Sequence, residues 1–265
     1  MTEQRVALVT GASGGIGRAI ALRLAVAGFH VAAAARTDDK YPATTAETVD
    51  AIRGLGGQAT AFECDLSIRE DRQGLVPRVA AEIGVVDVLV NNAAVSTMQA
   101  IDTFPERRVT LMFDVQVRAA LELSQAVIPG MRQRGTGWIV NITSIAARHP
   151  RPPETGVGVQ ASRNTVYGMC KAAIERLSTG LAAELYNDGI NVNALAPTHI
   201  VPTFGAKAFF DLSERTTEPP EDIANAVHHL VSGSATRITG QILYSQDVLA
   251  QARALAAQEA EDVRP

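Results

Sequence analysis

The strongest constraint on this chain is its rhythm, in which short apolar runs alternate with longer segments of helical period along nearly its whole length. Arg5–Thr10, Phe29–Ala35, Gln58–Glu63, Val85–Val90, Gly137–Thr143, Ile190–Leu195 and Gln241–Tyr244 read as strands. Between them Ile16–Ala27, Ala43–Leu55, Ser67–Ile83, Phe104–Arg134, Val166–Tyr186 and the stretch from Pro219-Pro220 to Val231 read as helices. Apolar strands without polar alternation are buried on both faces, which requires a parallel sheet covered by helices on each side. Right-handed crossovers then leave an α/β fold of the Rossmann type, a doubly wound parallel sheet of about seven strands. No linker rich in Pro, Gly or Ser divides the 265 residues, and no repeat exceeds the βα unit, so a single domain is expected.

Composition narrows the function classes. A hydrophobic fraction of 46% supports a sizeable core. A net charge of −4 without a long basic run is unsuited to phosphate backbones, so no nucleic-acid partner is expected. No apolar run approaches the ~20 residues that span a bilayer, so no membrane partner is expected either. Cys64 and Cys170 are too few for a disulfide framework, and the stretch from Met1 to Val6 lacks the pattern of an export signal. A soluble, cytoplasmic protein is expected.

Between the first strand and the first helix lies Thr10-Gly-Ala-Ser-Gly-Gly-Ile-Gly17. Gly11 suits a tight turn, Gly15 allows backbone to approach a pyrophosphate, and Gly17 allows close packing of helix on sheet. Amides at the helix start then meet the negative charge. At the end of the second strand stands Ala35, where an acid would select a free ribose, followed by Arg36, which suits a 2′-phosphate. NADP is therefore the expected cofactor, with NAD the alternative.

Tyr167 and Lys171 stand four residues apart, on one face of a helix. A phenol titrates near pH 10, but a neighbouring ammonium and an oxidised nicotinamide both favour the phenolate. Such a tyrosine exchanges a proton with an alcohol or a ketone as hydride moves.

These residues carry a resemblance. TGASGGIG (Thr10–Gly17), CDL (Cys64–Leu66), NNAA (Asn91–Ala94), NITS (Asn141–Ser144), YGMCK (Tyr167–Lys171) and NVNALAP (Asn191–Pro197) occur in the order found in the short-chain dehydrogenases/reductases, which the chain resembles over about residues 5–245. The resemblance implies interconversion of a secondary alcohol and a ketone. Ser144 would position the substrate oxygen, Tyr167 transfer the proton, and Lys171 hold the nicotinamide ribose and lower the Tyr167 pKa. It implies a cofactor shell of Gly11, Ser13, Gly15, Ile16, Gly17, Arg36, Asp65, Leu66, Asn92, Ala93, Tyr167, Lys171, Pro197 and Thr203, with Asp65 reaching the adenine and Asn91 stiffening the sheet. It also implies a homo-oligomer, tetrameric or dimeric.

The chain departs from the family pattern in four places. Gln116 stands where an asparagine usually supports a water leading from the lysine to solvent. The segment Arg148–Asn164 is longer than usual and is expected to line or cover the substrate pocket, together with residues 197–218. Pro197 is followed by Thr198 rather than glycine, with Thr203 offered to the nicotinamide one position out of register. Near the carboxy terminus Tyr244-Ser-Gln-Asp-Val-Leu249 replaces a glycine pair. Gln116 and the longer segment keep open an alternative, a catalytically weak dinucleotide-binding sensor or assembly protein. Phe204, Phe209 and Phe210 point to an apolar alcohol or ketone, and a short helix is expected near Phe209. His149, His199, His228 and His229 show no metal-ligand spacing, so no metal site is expected, and Cys170 is read as a small buried residue.

Overall fold

The structure is a computed structural model that describes residues 4–37, 43–150, 163–233 and 237–262. Its centre is a parallel sheet of seven strands: β1 (Val6–Thr10), β2 (His30–Ala35), β3 (Gln58–Glu63), β4 (Val86–Asn91), β5 (Gly137–Ile142), β6 (Ile190–Ala196) and β7 (Ile242–Tyr244). Their order is β3-β2-β1-β4-β5-β6-β7. The chain thus winds outward from β1 in one direction and then returns to continue in the other from β4. That reversal opens a crevice beyond the carboxyl ends of β1 and β4.

The inner strands β1, β2, β4, β5 and β6 bury both faces, as unbroken apolar runs require, whereas the edge strands β3 and β7 keep exposed positions. Ala7 and Val9 of β1 join the core on one side of the sheet, and Val6 and Leu8 join the core on the other. The crossover helices are α1 (Gly15–Val26), α2 (Thr45–Gly54), α3 (Arg69–Glu82), α4 (Glu106–Phe113) with α5 (Ala119–Arg134), α6 (Thr165–Glu184), the short α7 (Phe204–Lys207) with α8 (Pro220–Val231), and α9 (Ser245–Asp262) after β7. In α2, Thr44 and Glu47 form a reciprocal capping box. Helices α1 and α8 lie side by side, joined where Arg23 Nε donates to Asn225 Oδ1 at 2.9 Å and Arg23 Nη2 meets His228 Nδ1 at 2.8 Å. Burial and the cations of Arg23 and Arg5 hold His228 down to about 4, which makes it a neutral packing residue.

The long helical stretch expected over Phe104–Arg134 runs from Glu106 to Arg134, with a π-helical turn at Asp114–Arg118 between α4 and α5. The buried Gln116 sits in this turn, and its Nε2 donates to Val95 O at 3.0 Å. Such a wide turn is a local departure that apolar periodicity does not signal. The short helix expected near Phe209 lies at Phe204–Lys207, where the Thr203 hydroxyl accepts from Ala206 N at 3.1 Å and fixes its start. Residues 151–162 of the expected pocket segment Arg148–Asn164 lie outside the described residues. Among the described residues, no helix is long and apolar enough to cross a membrane.

Candidate active site

The glycine turn between β1 and α1 is built on three backbone requirements. Gly11 and Gly15 have φ of +67° and +52°, a region that side chains with a Cβ seldom adopt. Gly17 has ordinary φ but no space: a Cβ there would press on the Gly11 carbonyl and lie 2.5 Å from Asn92 Nδ2. Asn92, at the end of β4, pins the turn by donating from Nδ2 to Thr10 O at 2.8 Å. Thr10 Oγ1 in turn accepts from the amides of Asn92 and Ala93, at 3.0 and 3.1 Å. The two sides of the crevice are therefore tied together before any ligand arrives.

On the other side of the crevice, β5 and α6 supply the reactive groups. Asn91 Nδ2 donates to Asn141 Oδ1, and Asn141 Nδ2 donates to Ser178 Oγ, both at 2.8 Å. Ser178 Oγ donates to Ile174 O, so one buried chain of polar groups joins β4, β5 and the helix that carries Tyr167. Ser144 lies two residues beyond this strand end, its Oγ accepts from Ala146 N at 3.2 Å, and it lines the same cavity as Tyr167. Burial pushes the Tyr167 phenol up to about 12, with the Ser144 hydroxyl acting in the opposite direction. Lys171 is almost wholly buried, and its Nζ donates to Ile142 O at 2.9 Å and lies 5.4 Å from the centroid of the Tyr167 ring. Burial pushes its ammonium down to about 8. The lowering of the phenol that the resemblance implies is thus not a property of this chain alone, because desolvation outweighs the lowering effect of the Ser144 hydroxyl.

The buried lysine makes stability depend on pH. With a folded pKa of about 8 and an ordinary value of 10.5, the unfolded state binds more protons between these limits. The Lys171 contribution to stability therefore rises as pH rises through that window. The difference in urea midpoint between wild type and Lys171→Met should shift in favour of wild type between pH 8 and pH 10, a trend that a solvated lysine would not show.

The glycine turn, Ser144, Tyr167 and Lys171 face one cavity of about 1660 Å³ at the carboxyl end of the sheet. That exceeds the roughly 300–1,000 Å³ of a common ligand pocket and has room for a dinucleotide and a second molecule. Gly11, Ser13, Gly15, Ile16, Arg36, Asp65, Leu66, Asn92, Ala93, Ser144, Tyr167, Lys171, Pro197 and Thr203 line it, as expected from the sequence. Gly17 and Gln116 do not line it. Gly17 packs behind Gly11, and Gln116 turns its amide to Val95 O, leaving its buried Oε1 without a partner among the described residues. Asp65 lines the wall, but its Oδ1 already accepts from Ser67 N and Ser67 Oγ at 2.8 and 2.7 Å. Phe209 and Phe210 line the cavity, whereas Phe204 is 54% exposed outside it. Cys170 is buried on another face, and its thiol is pushed up to about 11, which keeps it inert.

Sequence reasoning missed several residues. Thr10 organises the turn, although nothing in a strand-ending threonine announces it. Arg148 reaches across from the end of β5 to Tyr244 at the end of β7, with Nε donating to the phenol at 2.8 Å and the guanidinium 4.4 Å from the ring centroid. Glu218, Ser245 and Gln246 form a buried cluster beside Pro197. No local pattern links residues so far apart in the chain.

Known proteins share the fold and the family that the sequence resembles. The family model for short chain dehydrogenase matches residues 5–211. The dehydrogenase/reductase SDR family member 4 of Sus scrofa is 35% identical over 251 residues, covering 90% of this chain and 85% of that protein. The 7alpha-hydroxysteroid dehydrogenase of Escherichia coli is 33% identical over 250 residues, covering 91% and 92% respectively. A metagenomic short-chain oxidoreductase solved in complex with NADP superposes with a TM-score of 0.73 at 29% identity, covering 90% of this chain and 96% of that one. With its sheet order, glycine turn and Ser144–Tyr167–Lys171 arrangement, the chain belongs to the short-chain dehydrogenase family and is an NAD(P)-dependent oxidoreductase.

Proposed function

We propose that this chain interconverts a ketone and a secondary alcohol by hydride transfer, with NADP as cofactor and Tyr167 as acid and base. The observation that carries this reading is that Ser144, Tyr167 and Lys171 line the same cavity as the glycine turn. The residues fit the dinucleotide. Positive-φ glycines bring backbone amides to the cavity wall, and Arg36 rather than an acid lines its end. Gly11, Ser13, Gly15 and Ile16 would hold the pyrophosphate, Arg36 the 2′-phosphate, and Lys171 the nicotinamide ribose. The bound cofactor supplies or accepts the hydride.

The chain's own groups handle the proton and the orientation. The Ser144 hydroxyl positions the substrate oxygen against the Tyr167 phenol. A phenol pushed up to about 12 is protonated at neutral pH, the form that donates to a ketone oxygen. Oxidation of an alcohol needs the phenolate, which a positive charge beside it would favour. The apolar lining of Met98, Leu111, Ile145, Phe209 and Phe210 fits an apolar carbonyl compound, and the hydroxysteroid in the name of the Escherichia coli relative is consistent with that class. Exposed Leu121 and Met169 on α5 and α6 fit the homo-oligomer expected of the family.

The test is loss of the near-ultraviolet absorbance of NADPH in the presence of a panel of apolar ketones. Turnover with at least one is expected, and Arg36→Asp should reduce the preference for NADPH over NADH by about tenfold or more. Gln116 favours a second reading, because its amide is turned to Val95 O rather than to the cavity. A weak nucleotide-binding sensor would bind NADPH tightly, yet wild type and Tyr167→Phe would show the same negligible turnover across the panel.

A further inference from the structure

The cavity wall opposite the glycine turn is the stretch between Pro197 and Pro219, and its base is closed by one buried carboxyl group. Glu218 is 2% exposed. Its Oε1 accepts from His199 N at 3.1 Å, and its Oε2 accepts from Ser245 Oγ and from Gln246 Nε2, both at 2.8 Å. Its own amide donates to Ile200 O at 3.1 Å, beside a bridge between Ile200 and Thr217. The fully buried Ser245 Oγ accepts from Thr198 N at 3.0 Å, and Thr198 Oγ1 accepts from Gln246 N at 3.1 Å. Both ends of the stretch are thus fastened to each other and to the start of α9. Between them the chain carries Thr203, Phe209 and Phe210 to the cavity. Thr203 reaches the glycine turn itself, since a Cβ on Gly15 would lie 2.9 Å from its Cγ2.

We propose that Glu218 is a positioning residue that holds residues 198–217 over the nicotinamide end of the cavity and so sets how tightly the nucleotide is retained. This rests on the reading of the cavity as a nucleotide site. The stretch has one helix of only four residues, so its own hydrogen bonds cannot fix its place, and the clasp at its base does. Glu218→Gln keeps the shape of the side chain but turns one acceptor into a donor. That donor must then face Ser245, Gln246 or the His199 amide, whose hydrogen bonds were arranged for two acceptors. Gln246→Ala removes the donor on the opposite side of the same clasp, along with its bond to Asp222 Oδ2 at 2.7 Å.

The experiment measures the dissociation constant of NADPH by its fluorescence, and the rate of trypsin cleavage after Lys207, in wild type, Glu218→Gln, Gln246→Ala and the double variant. Each single change should weaken NADPH binding about tenfold, the effect of losing one or two buried hydrogen bonds. Cleavage should speed up by a similar factor, and the double variant should lose no more than either single one, because both act through one clasp. A merely structural role would lower the thermal midpoint and leave the dissociation constant, measured well below that midpoint, unchanged. Wild-type NADPH affinity in both single variants overturns the assignment to Glu218, as does full additivity in the double variant. Failure of wild type itself to bind NADPH overturns the nucleotide reading instead.

Discussion

Tyr167→Phe should lower turnover with an apolar ketone about a thousandfold, while NADPH binds with nearly unchanged affinity. Removing one oxygen takes away the phenolic proton in the cavity beside Ser144, and the ring keeps its place 5.4 Å from the Lys171 ammonium. Steady-state kinetics with saturating NADPH checks the loss, and NADPH fluorescence checks the retained affinity. The loss should fall on kcat rather than on the KM for the nucleotide, because the phenol acts on the transition state. A Phe variant with wild-type turnover would remove Tyr167 from the chemistry. Loss of NADPH binding in the same variant would mean that the phenol is a binding group.

Gly17→Ala should cost about 3 kcal/mol of stability and weaken NADPH binding by about a hundredfold or more. The added methyl would meet a backbone carbonyl on one side and the Asn92 amide that pins the turn on the other. Neither can move without opening the junction between β1 and β4, which the Thr10 hydroxyl also holds. Gly74→Ala is the contrast: Gly74 lies inside α3 with open space where a Cβ would go, so the same change should stabilise by about 0.5–1 kcal/mol. Urea unfolding of the two variants should give midpoints on opposite sides of wild type with equal slopes. Equal midpoints would show that the glycine turn is not the close junction seen here.

Much of this protein was legible in the amino-acid order. Apolar runs separated by helical segments specify a parallel sheet, because inner strands apolar on both faces, such as β1 and β4, must be covered twice. The glycines at 11, 15 and 17 and the Tyr167–Lys171 spacing are local features, visible because their chemistry depends on neighbours a few residues away. Fourteen of the residues expected around the cofactor or the chemistry do line the cavity, and Gly17 stands just behind it as its lack of a side chain requires.

What the tertiary structure decided involves residues far apart in the chain or the balance between burial and charge. Gln116 lies in a π-helical turn with its amide bonded to Val95 O, and no periodicity marks a single wide turn. Thr203 and Gly15 touch because β6 leads a loop back over the start of α1. Glu218 meets Ser245 and Gln246 across 27 and 28 residues, a pairing that exists only once the end of β7 is laid beside the end of β6. The charge of Tyr167 was settled in the same way. The spacing to Lys171 names the pair, but the enclosure of both groups pushes the phenol up to about 12 and the ammonium down to about 8. A sequence records which groups are neighbours along the chain, whereas desolvation depends on how much water the folded cavity excludes from them.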